Sequence, residues 1–126
     1  MKNRREIVIY IAGPFRAENQ WEVQKNIMRA EARALEFWRE GFTVLCPHAN
    51  SCHFQGAAPD EAFLSGDLEI LRRCDAVFLI YGWQNSKGAY AEYIFAREQK
   101  IFVTEVMADL LSLYPQIDHE PSIANE

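Results

Sequence analysis

Apolar residues in this chain fall into short continuous runs separated by longer stretches in which they recur every three or four positions. The run "EIVIYIA" (6–12) is β-branched and is closed by Gly13-Pro14, the pattern of a strand buried on both faces. From Glu18 to Glu40 the apolar positions Val23, Ile27, Ala30, Ala34 and Trp38 line one helical stripe. Met28 and Leu35 widen it, and Gly41 stands where a helix should stop. "FTVLC" (42–46) reads as a second strand and 47–59 as a loop. A helix is expected from Asp60 to Arg73, with a possible break at Ser65-Gly66. "DAVFLIY" (75–81) gives a third strand, followed by a loop from Gly82 to Ser86. "KGAYAEYIFAREQ" gives a helix, "IFVTEV" a fourth strand and "MADLLSLY" a short helix. Strands alternating with helices imply βαβ units. The expected fold is therefore a single-domain α/β protein of the flavodoxin/Rossmann type, with a parallel sheet of four to five strands, helices on both faces and right-handed crossovers. The domain is expected to span 1–114, and the polar tail from Pro115 onward is expected to be mobile.

Composition narrows the function. The 126 residues suit one domain, and 49% hydrophobic with 25% charged residues argues against disorder. A net charge of −5 supplies no basic field for a nucleic-acid polymer. Three cysteines, Cys46, Cys52 and Cys74, do not form a disulfide framework, so reduced thiols in a cytoplasm are expected. The apolar stretch Ile7 to Ala12 is too short for a signal peptide, and no run approaches the ~20 residues needed to cross a bilayer, so no membrane partner is expected.

In open parallel sheets ligands bind beyond the carboxyl ends of the strands, here "IAGPFR", "CPHAN" and "YGWQNSKG". Ser86 is suited to cap the helix beginning near Lys87, and the first turn of that helix offers unbonded N–H groups and a positive dipole end. Side chains lean toward a helix's N-terminus, so the Glu92 carboxylate should lie over a turn where position 88 is glycine and 89 alanine, leaving room for a ligand. From spacing alone an ordinary reading stands beside this one: Ser86 as a mere cap, Gly88 as a packing contact and Glu92 as a surface charge.

Three segments in order, "YIAGPFR", "GDLEILRRCDAVFLI" and "SKGAYAEYIFAREQKIFV", resemble the nucleoside 2-deoxyribosyltransferase-like superfamily. That group contains base-exchanging deoxyribosyltransferases and related hydrolases of nucleoside 5′-monophosphates. The resemblance runs from Tyr10 to Val103. It implies that Glu92 is a nucleophile attacking the anomeric carbon, as carboxylates do in retaining glycosidases. It implies that Asp67 assists departure of the base, whereas without it Asp67 would read first as a helix cap. Tyr10 is implied to hydrogen-bond the nucleophile; otherwise it is a core aromatic of the strand. Gly13 and Arg16 match a phosphate-binding loop, with Phe15 and Gly88 beside the substrate. The transferases acting on nucleosides carry an aspartate six positions before the nucleophile. Ser86 stands there in this chain, as in the hydrolases, and a serine hydroxyl at a helix start can accept a 5′-phosphate that an aspartate would repel. The chain departs from the hydrolases after Arg16, continuing Ala17-Glu18-Asn19 where they have glycines, and Glu18 would oppose phosphate if it faced inward.

The resemblance thus implies a metal-independent N-glycosidase. Base exchange and a non-catalytic nucleotide sensor are the alternatives, and a homodimer or higher homo-oligomer the expected assembly. Trp83 is a candidate for stacking on the base, with Phe15 on its other face; the alternative is that it covers a core edge. Cys46, His48, Cys52 and His53 tempt a zinc assignment, but C-x-H-x₃-C-H lacks the usual paired spacing, so no metal and no cofactor are expected. His48 or Asn50 is instead expected near the base.

Overall fold

The computed structural model describes residues 2–51, 54 and 56–116. Four parallel strands, β1 (Val8–Ala12), β2 (Thr43–Leu45), β3 (Ala76–Leu79) and β4 (Phe102–Thr104), pair in the order β2-β1-β3-β4. The helices between them are α1 (Gln20–Arg39), α2 (Pro47–Ser51), α3 (Asp60–Leu71) and α4 (Lys87–Glu98), with α5 (Met107–Leu113) after β4. This is the expected α/β arrangement, with the lower of the two expected strand counts.

The period-2 alternation of strand side chains sorts the interior into two layers. Ile9 and Ile11 of β1 and Ala76 and Phe78 of β3 pack with Ala30, Ala34 and Phe37 of α1 and Leu110 of α5. Tyr10, Ala12, Val77 and Leu79 point the other way, onto Leu71 of α3 and Ala89 and Ala96 of α4. Helices therefore cover both faces, which is why β1 and β3 carry no polar alternation. The chain steps from β1 to β2 over one face, and from β2 to β3 and β3 to β4 over the other. The direction of winding thus reverses between β1 and β3, and a cleft opens past their carboxyl ends.

Local chemistry sets the ends of α1. The Asn19 side chain accepts from the Glu22 N–H, and Gly41, at φ +97°, reverses the backbone at the other end. There the Gly41 N–H reaches the Trp38 carbonyl at 3.0 Å and the Phe42 N–H the Phe37 carbonyl at 3.2 Å, the paired bonds that close a helix on an αL glycine. The stripe facing the core is narrower than expected and ends on Phe37, fully buried, while Trp38, Met28 and Leu35 are 43–55% exposed. Phe37 lies three residues after Ala34 and meets Phe78 and Phe42 edge-on at 5.0 and 5.9 Å, contacts that the flanking Trp38 does not make.

Two further expectations are corrected. The segment after β2 is not all loop: Pro47 occupies the first position of α2, where its missing N–H costs nothing. Helix α3 runs through Ser65-Gly66 without a break, since one glycine costs about 1 kcal/mol against a helix seated by Leu71. Most of the tail expected to be mobile, 117–126, lies outside the described residues.

Gly13 serves the fold as well as the cleft. A Cβ there would stand 2.8 Å from the Ile80 Cβ, so the turn after β1 needs glycine to lie against the end of β3. Gly13→Ala is expected to cost about 1–3 kcal/mol through overpacking, read as a lower urea midpoint at unchanged slope.

Candidate active site

The cleft past β1 and β3 encloses about 460 Å³, within the usual range of small-molecule sites. Its walls come from four places: Gly13, Phe15 and Arg16 after β1; Pro47 and His48 of α2; one face of α3; and Asn85 to Ala89 with Glu92 from the start of α4. The α3 face is Asp60, Phe63, Leu64 and Asp67, spaced i, i+3, i+4 and i+7.

Glu92 forms the floor. It is 6% exposed, and the fully buried Tyr10 hydroxyl donates a hydrogen bond to its Oε2. Strand β1 supplies the tyrosine and α4 the glutamate, so the pair is set by packing Ala89 and Ala96 onto the β1–β3 face. Gly88, one helical turn before Glu92, has nothing within 4 Å of where a Cβ would be, and that space belongs to the cleft. Ser86 caps α4 through its Oγ, which accepts from the Ala89 N–H at 3.2 Å. Its cap role is thus real, and it also lines the cleft.

Burial dominates the electrostatics. It raises the Glu92 carboxyl to about 8, with the Tyr10 hydrogen bond working in the opposite direction and the Asp67 charge adding to the rise. Burial likewise raises Asp67 to about 6. The Tyr10 hydroxyl is pushed upward by burial, then by the negative charges of Glu92 and Asp67, so it remains a donor at all ordinary pH. Two carboxyls facing one cleft thus hold a single proton between them from about pH 6 to about 8.

The same shifts govern stability. Unfolded, Glu92 ionises near 4.5; folded, near 8. Between these values the folded protein keeps a proton that the unfolded chain has lost, so stability falls as pH rises. Asp67 adds a loss of the same sign between about 4 and 6. The melting temperature is expected to decline from pH 5 to 8. Glu92→Gln should flatten that decline and melt above the unsubstituted protein at pH 8, as differential scanning fluorimetry across the range would show.

Residues 7–105 match the family described as Domain of unknown function (DUF4406). The chain belongs to that family. The matched span holds all four strands and every residue lining the cleft, so the site is internal to the DUF4406 domain. No curated protein matches the chain.

Within this DUF4406 domain most of the expected site residues meet. Tyr10, Gly13, Phe15, Arg16, His48, Asp67, Ser86, Gly88 and Glu92 either line the cleft or bond to a residue that does. Trp83 does not join them. It is 8% exposed, sits in the layer between the sheet and α4, and lies 4.5 Å from Tyr93 and 6.1 Å from Tyr90 by ring centroids. The αL turn at Gly82 folds it inward, so it covers a core edge and offers no face to a base. Asn50 is exposed at the end of α2 and takes no part in the cleft walls.

His48 is 6% exposed; its Nε2 lies 2.8 Å from the Pro14 carbonyl oxygen, and its ring meets Phe15 edge-on at 5.4 Å. Burial lowers its pKa, so the neutral ring donates to that carbonyl and holds the turn after β1. Asn26 of α1 donates to the next carbonyl, that of Phe15, at 3.0 Å. Glu18 faces a separate small groove formed by residues 16–20 and Val23, outside the cleft walls. Of the four candidate metal ligands, Cys52 and His53 lie outside the described residues, and among the described residues no three His, Cys, Asp or Glu side chains are grouped so that they could hold a metal ion. Among the described residues no helix is long and apolar enough to cross a membrane.

Sequence reasoning missed Asp60, Glu61, Phe63, Leu64, Asn85 and Lys87. For α3 the signal was present: the spacing that puts Asp67 in the cleft puts Asp60, Phe63 and Leu64 there too. Lys87 follows from its place beside Ser86 at the start of α4.

Proposed function

We propose that this DUF4406 protein is an N-glycosidase that splits a (deoxy)ribonucleoside 5′-monophosphate into free base and sugar phosphate. The observation that carries the reading is the buried Glu92 carboxyl, held by the Tyr10 hydroxyl on the floor of a cleft that Asp67 also faces. The resemblance of the Tyr10, Asp67, Ser86 and Glu92 segments to the nucleoside 2-deoxyribosyltransferase-like superfamily supports it.

In the proposed reaction the Glu92 carboxylate attacks the anomeric carbon as the bond to the base nitrogen breaks. Asp67 delivers a proton to the leaving base, and a glutamyl-sugar ester results. Asp67, now ionised, takes a proton from water as the water attacks the same carbon. The ester opens, Glu92 is restored and the sugar retains its configuration. The reactive state carries one proton on the two carboxyls, and burial, which raises Glu92 more than Asp67, rests that proton on Glu92, so it must pass to Asp67 before the carboxylate can attack. Tyr10 orients the nucleophile and steadies its charge. Arg16, Lys87, the Ser86 hydroxyl and the first turn of α4 meet the 5′-phosphate, while Phe15, Phe63 and Leu64 give the base an apolar wall. A homo-oligomer and a cytoplasmic setting belong to the same proposal.

The test is incubation with a panel of nucleoside 5′-monophosphates and nucleosides, followed by chromatography for free base. Release from monophosphates in preference to nucleosides supports the reading. Base exchange without net hydrolysis favours a transferase, and nucleotide binding with no product from any substrate overturns both enzyme readings.

A further inference from the structure

We propose that Asp60 is a specificity-determining residue, a built-in competitor that holds the Arg16 guanidinium which the substrate's phosphate must take. This rests on the nucleotide reading above and adds to it a residue that sets affinity for the phosphate. Arg16 leaves the turn after β1, Asp60 opens α3, and the two side chains form an ion pair. Both residues line the cleft, so the pair links two of its walls.

The partners differ in freedom. The turn carrying Arg16 is fixed by His48 on the Pro14 carbonyl and by Asn26 on that of Phe15, so the guanidinium works from an anchored base. Asp60 makes no cap bond to its own helix: Pro59 occupies the cap position, without a side-chain hydrogen bond. Among the described residues its one side-chain partner is Arg16. Both side chains are more than 60% exposed, and an ion pair so exposed is weak enough for a phosphate dianion to displace, since a dianion can take two N–H groups of the guanidinium at once.

The charge of the cleft makes the contest matter. Its acids are Asp60, Glu61, Asp67 and Glu92, against Arg16 and Lys87. Among the described residues Lys87 carries no ion pair, so Arg16 is the cation whose availability depends on a neighbour. With Asp60 in place the sugar phosphate is held less tightly and leaves more readily once the base has gone.

The experiment measures binding of inorganic phosphate by calorimetry and KM for a 5′-monophosphate and its parent nucleoside, in Asp60→Asn and in Asp60→Ser, which keeps a residue suited to a helix start. Either change is expected to tighten phosphate and lower the monophosphate KM about three- to ten-fold, with the nucleoside KM unmoved. The gain should vanish when Arg16→Ala is added. Glu98→Gln removes an equal charge from an exposed position outside the cleft lining and should change phosphate affinity less than about two-fold. Unchanged or weaker phosphate binding in both Asp60 variants, or an equal gain in Glu98→Gln, overturns the proposal. Phosphate binding needs no turnover, so the two readings fail separately. Tighter phosphate in Asp60→Asn without base release from any nucleotide leaves the competition standing and removes the glycosidase. Base release with phosphate affinity unmoved does the reverse.

Discussion

Glu92→Gln is expected to lower base release by at least about 10³-fold while leaving the protein folded and nucleotide binding within a few-fold of normal. The carboxamide keeps the shape of the protonated acid and an oxygen that accepts the Tyr10 hydroxyl hydrogen bond, so the floor of the cleft survives the change. What disappears is the oxygen nucleophile and the negative charge that would stabilise an oxocarbenium-like transition state. Because burial raises Glu92 to about 8, the substitution also removes a charge that the fold holds at a cost, and the variant should be more stable than the parent at alkaline pH. A loss of rate with a gain in stability cannot come from unfolding. Mass spectrometry of quenched turnover should find the sugar phosphate on the peptide containing Glu92 in the parent and not in the variant. Full activity in Glu92→Gln would remove the covalent mechanism.

The layers of the fold were legible because the physics behind them is local and repetitive. Ile9 and Ile11 must face one way and Tyr10 and Ala12 the other, and a run apolar on both phases admits only a strand covered on both sides. Gly41 was readable as a stop because an αL residue ends a helix wherever it occurs. The site was legible only in part: spacing set Glu92 over a turn with glycine at 88, and the family resemblance, not the spacing, chose the cleft over a surface charge. It was not legible where a side chain's direction depends on a neighbour distant in sequence. Nothing around Trp83 says that Gly82 will turn it onto Tyr93, and nothing near Arg16 says that Asp60, 44 residues on, will hold it. His48 lines the cleft, as expected; what the sequence did not show is its bond to the Pro14 carbonyl, which holds the turn that carries Arg16.

Asp67→Asn is expected to slow hydrolysis by about 10²- to 10³-fold and, more tellingly, to change the shape of the pH profile. In the parent protein kcat/KM should form a bell. It rises near pH 6 as the carboxyl pair loses its first proton and falls near 8 as it loses the second, because attack needs one carboxylate and departure of the base needs one carboxylic acid. With asparagine at 67 only Glu92 titrates. The alkaline limb should vanish, leaving a single rise with pH. Its midpoint should lie below the parent's upper limb, since the Asp67 charge that helps raise Glu92 has gone. The loss should also depend on the substrate, because a base that departs without protonation needs no acid. Nucleotides with the better leaving base should therefore lose least, while Glu92→Gln should slow all of them alike. A bell that persists in Asp67→Asn would assign the second proton to another group and take the acid's role away from Asp67.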